Sequence, residues 1–260
     1  LKLSKLINLI ALVLPLSGCA VRPDYTLSPP PGTEWITLSV KLPPQTEVIP
    51  MDVLYRSEKC QREVYDQGTE SHTSMDRGKN PQLVSLSQRG KSNIWQAQIA
   101  LNGGGKCEWQ LSAVRVDIQP VKTLALATGK KIIPTSYVFG FDDEAYGGGE
   151  GSGSKKETRG DLNLQTELFP VIFINHMFNE TTFEMFGGDT RFEKWSRYFR
   201  VFGTKEILIS PTFYLQKVVT LESPKNRKDP AGMIITYPDG EVVHERKIAP
   251  DYEKLLSMKE

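Results

Sequence analysis

From Trp35 to Leu42 every second residue is apolar: Ile36, Leu38, Val40 and Leu42 lie on one side of an extended chain, and Trp35, Thr37, Ser39 and Lys41 on the other. A period of two cannot build one face of a helix, so this segment predicts a half-buried strand. Pro43-Pro44 ends it, and Met51, Val53 and Tyr55 alternate with Asp52 and Arg56 to predict a second. Trp95, Ala97, Ile99 and Leu101 point one way, Asn102 to Lys106 turn the chain, and Cys107, Trp109, Leu111 and Ala113 continue on a single face, which reads as a hairpin. The apolar set then slips to Val114, Val116 and Ile118, predicting a β-bulge near Ala113 or Val114. The polar run Asp66 to Asn80 reads as a surface loop ahead of a strand at Leu83 to Leu86.

The expected fold class is therefore mainly β, in two β-rich domains. Residues 33–119 predict a small sandwich, immunoglobulin-like by analogy. Residues 120–260 predict a second domain, α+β or a β-rich sheet with one or two short helices, with Pro120 to Pro134 as the connection or, alternatively, with a strand starting at Leu124 and Leu126. Its strands are expected at Tyr137 to Phe139, from Leu162 to Ile174, at Glu206 to Ser210 and at Thr212 to Leu221. A hairpin is expected over Gly232 to Ile248, around Pro238-Asp239-Gly240. Asp189 reads as the cap of a helix carrying Phe192, Trp195 and Phe199, and a short helix is expected from Asp251, with Leu255, Leu256 and Met258.

The N-terminus predicts location. Lys2 and Lys5 precede the apolar run Leu6 to Pro15, and Leu16-Ser17-Gly18-Cys19 follows. A basic start, an apolar core of about ten residues and small residues before a break are the parts of a secretory signal peptide. Leu-Ser-Gly-Cys resembles the lipobox of bacterial lipoproteins. The resemblance implies removal of residues 1–18, lipidation of Cys19, and anchoring of the mature chain to a membrane leaflet. With Ala20 rather than aspartate after the cysteine, it further implies the outer membrane, facing the periplasm. Residues 19–32, with Pro23 and Pro29-Pro30-Pro31, read as an extended Pro-rich tether.

With Cys19 assigned to lipid, Cys60 and Cys107 remain as one possible pair. An oxidising periplasm would let them form a disulfide; two unrelated buried thiols are the alternative. The chain carries 32 basic and 31 acidic side chains, a formal charge of +1 that loses two lysines with the leader. Such a balance argues against nucleic acid, whose binders concentrate positive charge on one face.

No motif names a reaction. His72, His176 and His244 have no partners at metal spacing, and His244-Glu245 would need a histidine where Ile248 stands. Ser152-Gly153-Ser154-Lys155 matches Ser-x-x-Lys only formally, since the glycines ahead of it work against the helix that chemistry requires. The chain is expected to be no enzyme, with no cofactor and no metal. Asp142, Asp143, Glu144 and Glu150, with Tyr146, form an acidic, aromatic stretch in a glycine-rich loop, the candidate surface for a protein partner.

The lipobox through Cys19, the Pro-rich tether, the Cys60 and Cys107 pair and the β-rich segments together are similar to the periplasmic immunity lipoproteins that accompany type VI secretion phospholipase effectors. The resemblance implies a stoichiometric inhibitor whose partner is a secreted phospholipase, held at the membrane by its lipid. The rival expectation is a structural or assembly lipoprotein of the envelope or of a secretion machine.

Overall fold

The computed structural model describes residues 23–66, 72–145, 156–188, 197–226, 232–246 and 248–259. Its strands are, in chain order, β1 Trp35–Lys41, β2 Thr46–Val48, β3 Met51–Asp66, β4 His72–Val84, β5 Ser87–Gln88, β6 Ile94–Ala100, β7 Asn102–Gly104, β8 Trp109–Pro120 and β9 Lys131–Ile133. They continue as β10 Thr135–Gly140, β11 Lys156–Arg159, β12 Leu162–Asn175, β13 Glu180–Gly188, β14 Tyr198–Phe202, β15 Glu206–Phe213, β16 Val219–Glu222, β17 Met233–Thr236 and β18 Val242–Glu245. A helix, α1, follows at Tyr252–Ser257. Asp251 caps it by accepting from the backbone N–H groups of Glu253 and Lys254, as its sequence predicts.

The strands form two sheets, so the chain is mainly β. One, of ten strands, runs β18-β17-β16-β12-β15-β1-β6-β5, with β13 beside β12 and β9 beside β13. The other, of eight, runs β11-β14-β10-β8-β3-β4, with β2 and β7 also on β8. Alternation decides the inner faces. Ile36, Leu38 and Val40 of β1 share one buried cluster with Met51 and Val53 of β3, Val114, Val116 and Ile118 of β8, and Phe139 of β10. Leu164, Phe183, Phe199 and Ile209 belong to the same cluster, so a single core draws on residues from both sides of the expected boundary at 119/120. Both sheets also cross that boundary: β1 pairs with β15 in parallel, and β8 pairs with β10. A smaller cluster, including Phe169, Leu221, Ile235 and Tyr237, is closed by Tyr252 and Leu255 of α1.

Long strands change neighbours where their sequence requires it. β12 pairs with β15 from Leu162 to Leu168 and with β16 from Val171 to Ile174. Pro170, which has no N–H to give, stands at the change of neighbour.

Several expectations need correction. β6 and β8 are not a hairpin: β6 pairs with β1 and β5 in one sheet, while β8 lies in the other. Only the short β7 folds back on β8, Asn102 opposite Gln110. The alternation is the same whether a glycine turn returns the chain to its own sheet or passes it across the core. The polar run 66–80 is not a loop beyond residue 71, because β4 pairs with β3 from His72 onward. As an edge strand largely open to water, it has no apolar face to reveal it. Leu124 and Ala127 are buried around a short 3-10 turn, not in a strand. The expected helix at Asp189 lies outside the described residues except for its end, where Phe199 is in β14. The bulge falls at Ser112, which is skipped between the pairs Leu54/Ala113 and Tyr55/Leu111.

The Cys60 and Cys107 sulfurs are bonded at 2.04 Å, across 47 positions of sequence. They join β3 to the turn before β8, and Gly78 on β4 lies against them: a Cβ there would stand 1.9 Å from the Cys60 carbonyl oxygen. The Pro-rich segment is not a free tether over its described part. Trp109 Nε1 donates to the Asp24 carbonyl at 2.9 Å, Asn80 Nδ2 to the Tyr25 carbonyl at 2.9 Å, and the Ser28 N–H to the Gly103 carbonyl at 2.8 Å. The Tyr25 ring stacks on Trp109 with centroids 6.0 Å apart. Residues 24–28 are thus strapped across the start of β8.

Candidate functional site

Three of the sequence-predicted partner residues come together. β10 ends at Gly140, the Phe141 N–H donates to the Ser112 carbonyl at 2.7 Å, and residues 142–145 turn across the outer face of the eight-stranded sheet. The bulge makes this possible by turning the buried Ser112 toward the strap. Ser112 Oγ donates to Asp142 Oδ1 at 2.9 Å and accepts from Arg56 Nε at 3.2 Å.

Three arginines hold the strap. Arg56, with a side chain only 8% exposed, donates to Glu144 Oε2 at 2.8 Å and to the Glu144 carbonyl at 2.9 Å. Arg77 reaches Asp142 at 2.9 Å and Glu144 at 3.0 Å, and Arg200 reaches Asp143 at 3.2 Å. Burial works against the Arg77 charge, but the hydrogen bonds and charges of Glu144 and Asp142 outweigh it and raise its pKa. Lys79 stands directly across from Arg56 on the neighbouring strand. Its pKa is lowered by burial and by the charges of Arg62 and Arg56, against which Asp76 and Glu144 act in the opposite direction.

The strap also has an apolar foot. Ala145 is 3% exposed and packs with Leu54 and Ala113. Gly140 leaves room for it: a Cβ at residue 140 would lie 2.7 Å from the Ala145 Cβ. Beside the strap is a cleft of about 400 Å³ with Leu111, Phe141 and Val201 among its apolar residues and Arg77 and Arg200 among its charged ones. Phe202 borders the cleft and lies beneath two guanidinium groups, Arg200 at 4.3 Å and Arg159 at 4.8 Å from its centroid.

Tyr146, Glu150 and Ser152, like Cys19, fall outside the described residues. Asp142, Asp143 and Glu144 are not an open negative rim, because each is engaged by an arginine of the same chain. Sequence reasoning missed Arg77 and Arg200 and gave Arg56 only a place in a strand. Nothing in a polar edge strand marks which cation will meet a loop 65 positions away. His176 lies in the β12–β13 turn, 3.2 Å from Glu222, and His244 is exposed on β18. Among the described residues no group of three or more His, Cys, Asp or Glu is arranged to hold a metal ion.

Comparison with protein-family models, with curated proteins and with solved structures finds no match for this chain.

Proposed function

We propose that the chain is a lipid-anchored periplasmic binding protein, and specifically an immunity protein that neutralises a secreted phospholipase by one-to-one contact. The observation that carries this reading is the fixed strap, Asp142 to Ala145. Its side chains are held by Arg56, Arg77 and Arg200, while Asp143 remains 97% exposed and Glu144 half exposed. A loop ordered before its partner arrives loses little freedom on binding, and arginine is enriched among the residues that dominate interfaces. Because the charges neutralise one another, recognition there rests on shape and directed hydrogen bonds more than on long-range attraction.

The position of the strap suits the role. Residues 24–28 lie at the start of β8, the same end of the sheet from which the strap departs. With Cys19 in a leaflet, a phospholipase captured at the strap would be held close to the lipid it attacks.

The test is direct. The mature chain is mixed with phospholipase effectors from sibling cells, and lipid hydrolysis is titrated. Inhibition complete at a one-to-one ratio, and lost on replacing Asp142, Asp143 and Glu144 together by alanine, supports the reading. Undiminished hydrolysis at large excess, with only resident envelope proteins retained in a pull-down, would sink it in favour of an assembly lipoprotein.

A further inference from the structure

Beyond Arg56, the last residue of β3 to pair with β8, β3 and β4 run on together as a two-stranded arm. Its outer part pairs Arg62 with Asp76, Glu63 with Met75, Val64 with Ser74 and Tyr65 with Thr73. One face carries the Arg62–Asp76 ion pair, at 3.2 Å. The other puts Tyr65 and Met75 on a diagonal, 73% and 62% exposed. An isolated ribbon is marginal in water, and here its base is fixed by the Cys60–Cys107 bond and by the close approach of Gly78 to Cys60.

The arm leaves the body at the end where the N-terminal segment is strapped down. Asp24 is bonded to Trp109, the first residue of β8, and the arm extends past that point. From Cys19 to Asp24 the chain spans at most about 17 Å at full extension. From Cys60 to Asp66 a strand reaches about 20 Å. The arm therefore reaches about as far from the body as the chain between Asp24 and Cys19 can span at full extension.

We propose that the arm is a second membrane contact, in which the Tyr65–Met75 face lies in the headgroup region of the leaflet that holds the Cys19 lipid. The inference rests on the lipid-anchored reading. Tyrosine suits that region because its ring is apolar and its hydroxyl stays hydrated, and a thioether adds apolar area. Two contacts set an orientation where one lipid would leave the body free to swivel. The opposite end of the molecule, where β12 turns into β13 at Met177 and Phe178, then faces away from the membrane.

The acylated full chain is reconstituted in phosphatidylethanolamine/phosphatidylglycerol vesicles, with an environment-sensitive fluorophore on Met75→Cys or, separately, on Phe178→Cys. Both positions are exposed, so neither substitution disturbs the core. Bromine-labelled lipid is expected to quench the label at position 75 severalfold more than that at 178. Protein that floats with the vesicles yet shows no quenching at 75, or more at 178, overturns the arm contact while leaving the anchor intact. Protein that does not float with vesicles overturns the anchor and the arm contact together.

Discussion

Replacing Gly140 by alanine tests whether the strap is built as described. No left-handed φ is involved at this position, so alanine meets no backbone strain. The new Cβ would lie 2.7 Å from the Ala145 Cβ, roughly 1 Å inside ordinary contact. A Cβ cannot rotate out of the way, so the strap must lift. Lifting draws Asp142 from Arg77 and Glu144 from Arg56, bonds now at 2.9 and 2.8 Å. Overpacking of this kind costs about 1–3 kcal/mol, from which the smaller entropy of the unfolded alanine chain subtracts about 0.4–1 kcal/mol. The expected net loss is about 1–2 kcal/mol, or a melting temperature lower by about 2–8 °C. Urea denaturation of Gly140→Ala, Ala145→Gly and the pair closes a double-mutant cycle. Ala145→Gly removes the obstructing Cβ, so the pair is expected to recover most of what Gly140→Ala loses, with a coupling of about 1 kcal/mol or more. A neutral Gly140→Ala, or a pair whose losses simply add, would refute the close packing of strap on sheet.

Reducing the Cys60–Cys107 bond, or replacing both cysteines by serine, is expected to lower stability by up to about 4 kcal/mol, read from urea midpoints with and without reductant. The shared core predicts one unfolding transition by circular dichroism and tryptophan fluorescence alike, and no folded product from fragments 33–119 or 120–259 expressed alone. Asp161 accepts backbone N–H bonds from Lys205 and Glu206, which lower its pKa. A depressed carboxyl pKa stabilises above the unfolded value and stops doing so as pH falls through the folded one. Asp161→Asn should therefore flatten the loss of stability on acidification below about pH 4 while leaving the rest of the profile intact. Leu164→Ala, at a fully buried position of β12, is expected to cost about 2–5 kcal/mol by the same urea assay, against little for Val242→Ala on the exposed β18.

What was legible in the sequence was what alternation encodes. Ile36, Leu38 and Val40 were assigned to the buried face correctly because a strand with one wet side displays its partner-independent pattern in its own residues. The bulge was found within one residue, since a change of parity is itself a sequence event. Which strand pairs with which was not legible: β6 and β8 look like a hairpin, and β1 gives no sign that it pairs with β15, about 170 positions later. The edge strand β4 was missed because water, not a core, selects its residues. At the strap, Asp142 and Glu144 stood out as a cluster, but their arginines are dispersed over β3, β4 and β14 and meet them only through the sheet.

The docked N-terminal segment bears on how the proposed anchoring and the proposed recognition are related. A free tether from Cys19 through Gly32 would let the body sample a wide shell of orientations, and no surface would have a fixed relation to the membrane. Instead the chain is held from Asp24, by a stacked tyrosine and three backbone carbonyls, to the end of the molecule that also carries the disulfide and the arm. Trp109 is the keystone of that arrangement: it is fully buried, donates to Asp24, stacks on Tyr25 and lies 3.4 Å from where a side chain on Gly78 would begin. One residue thus ties residues 24–25, the base of the arm and the start of β8, whose bulge three positions on presents Ser112 to the strap. The proposed membrane attachment and the candidate binding surface therefore lie at one end of the fold, and a change at Trp109 is expected to disturb both at once.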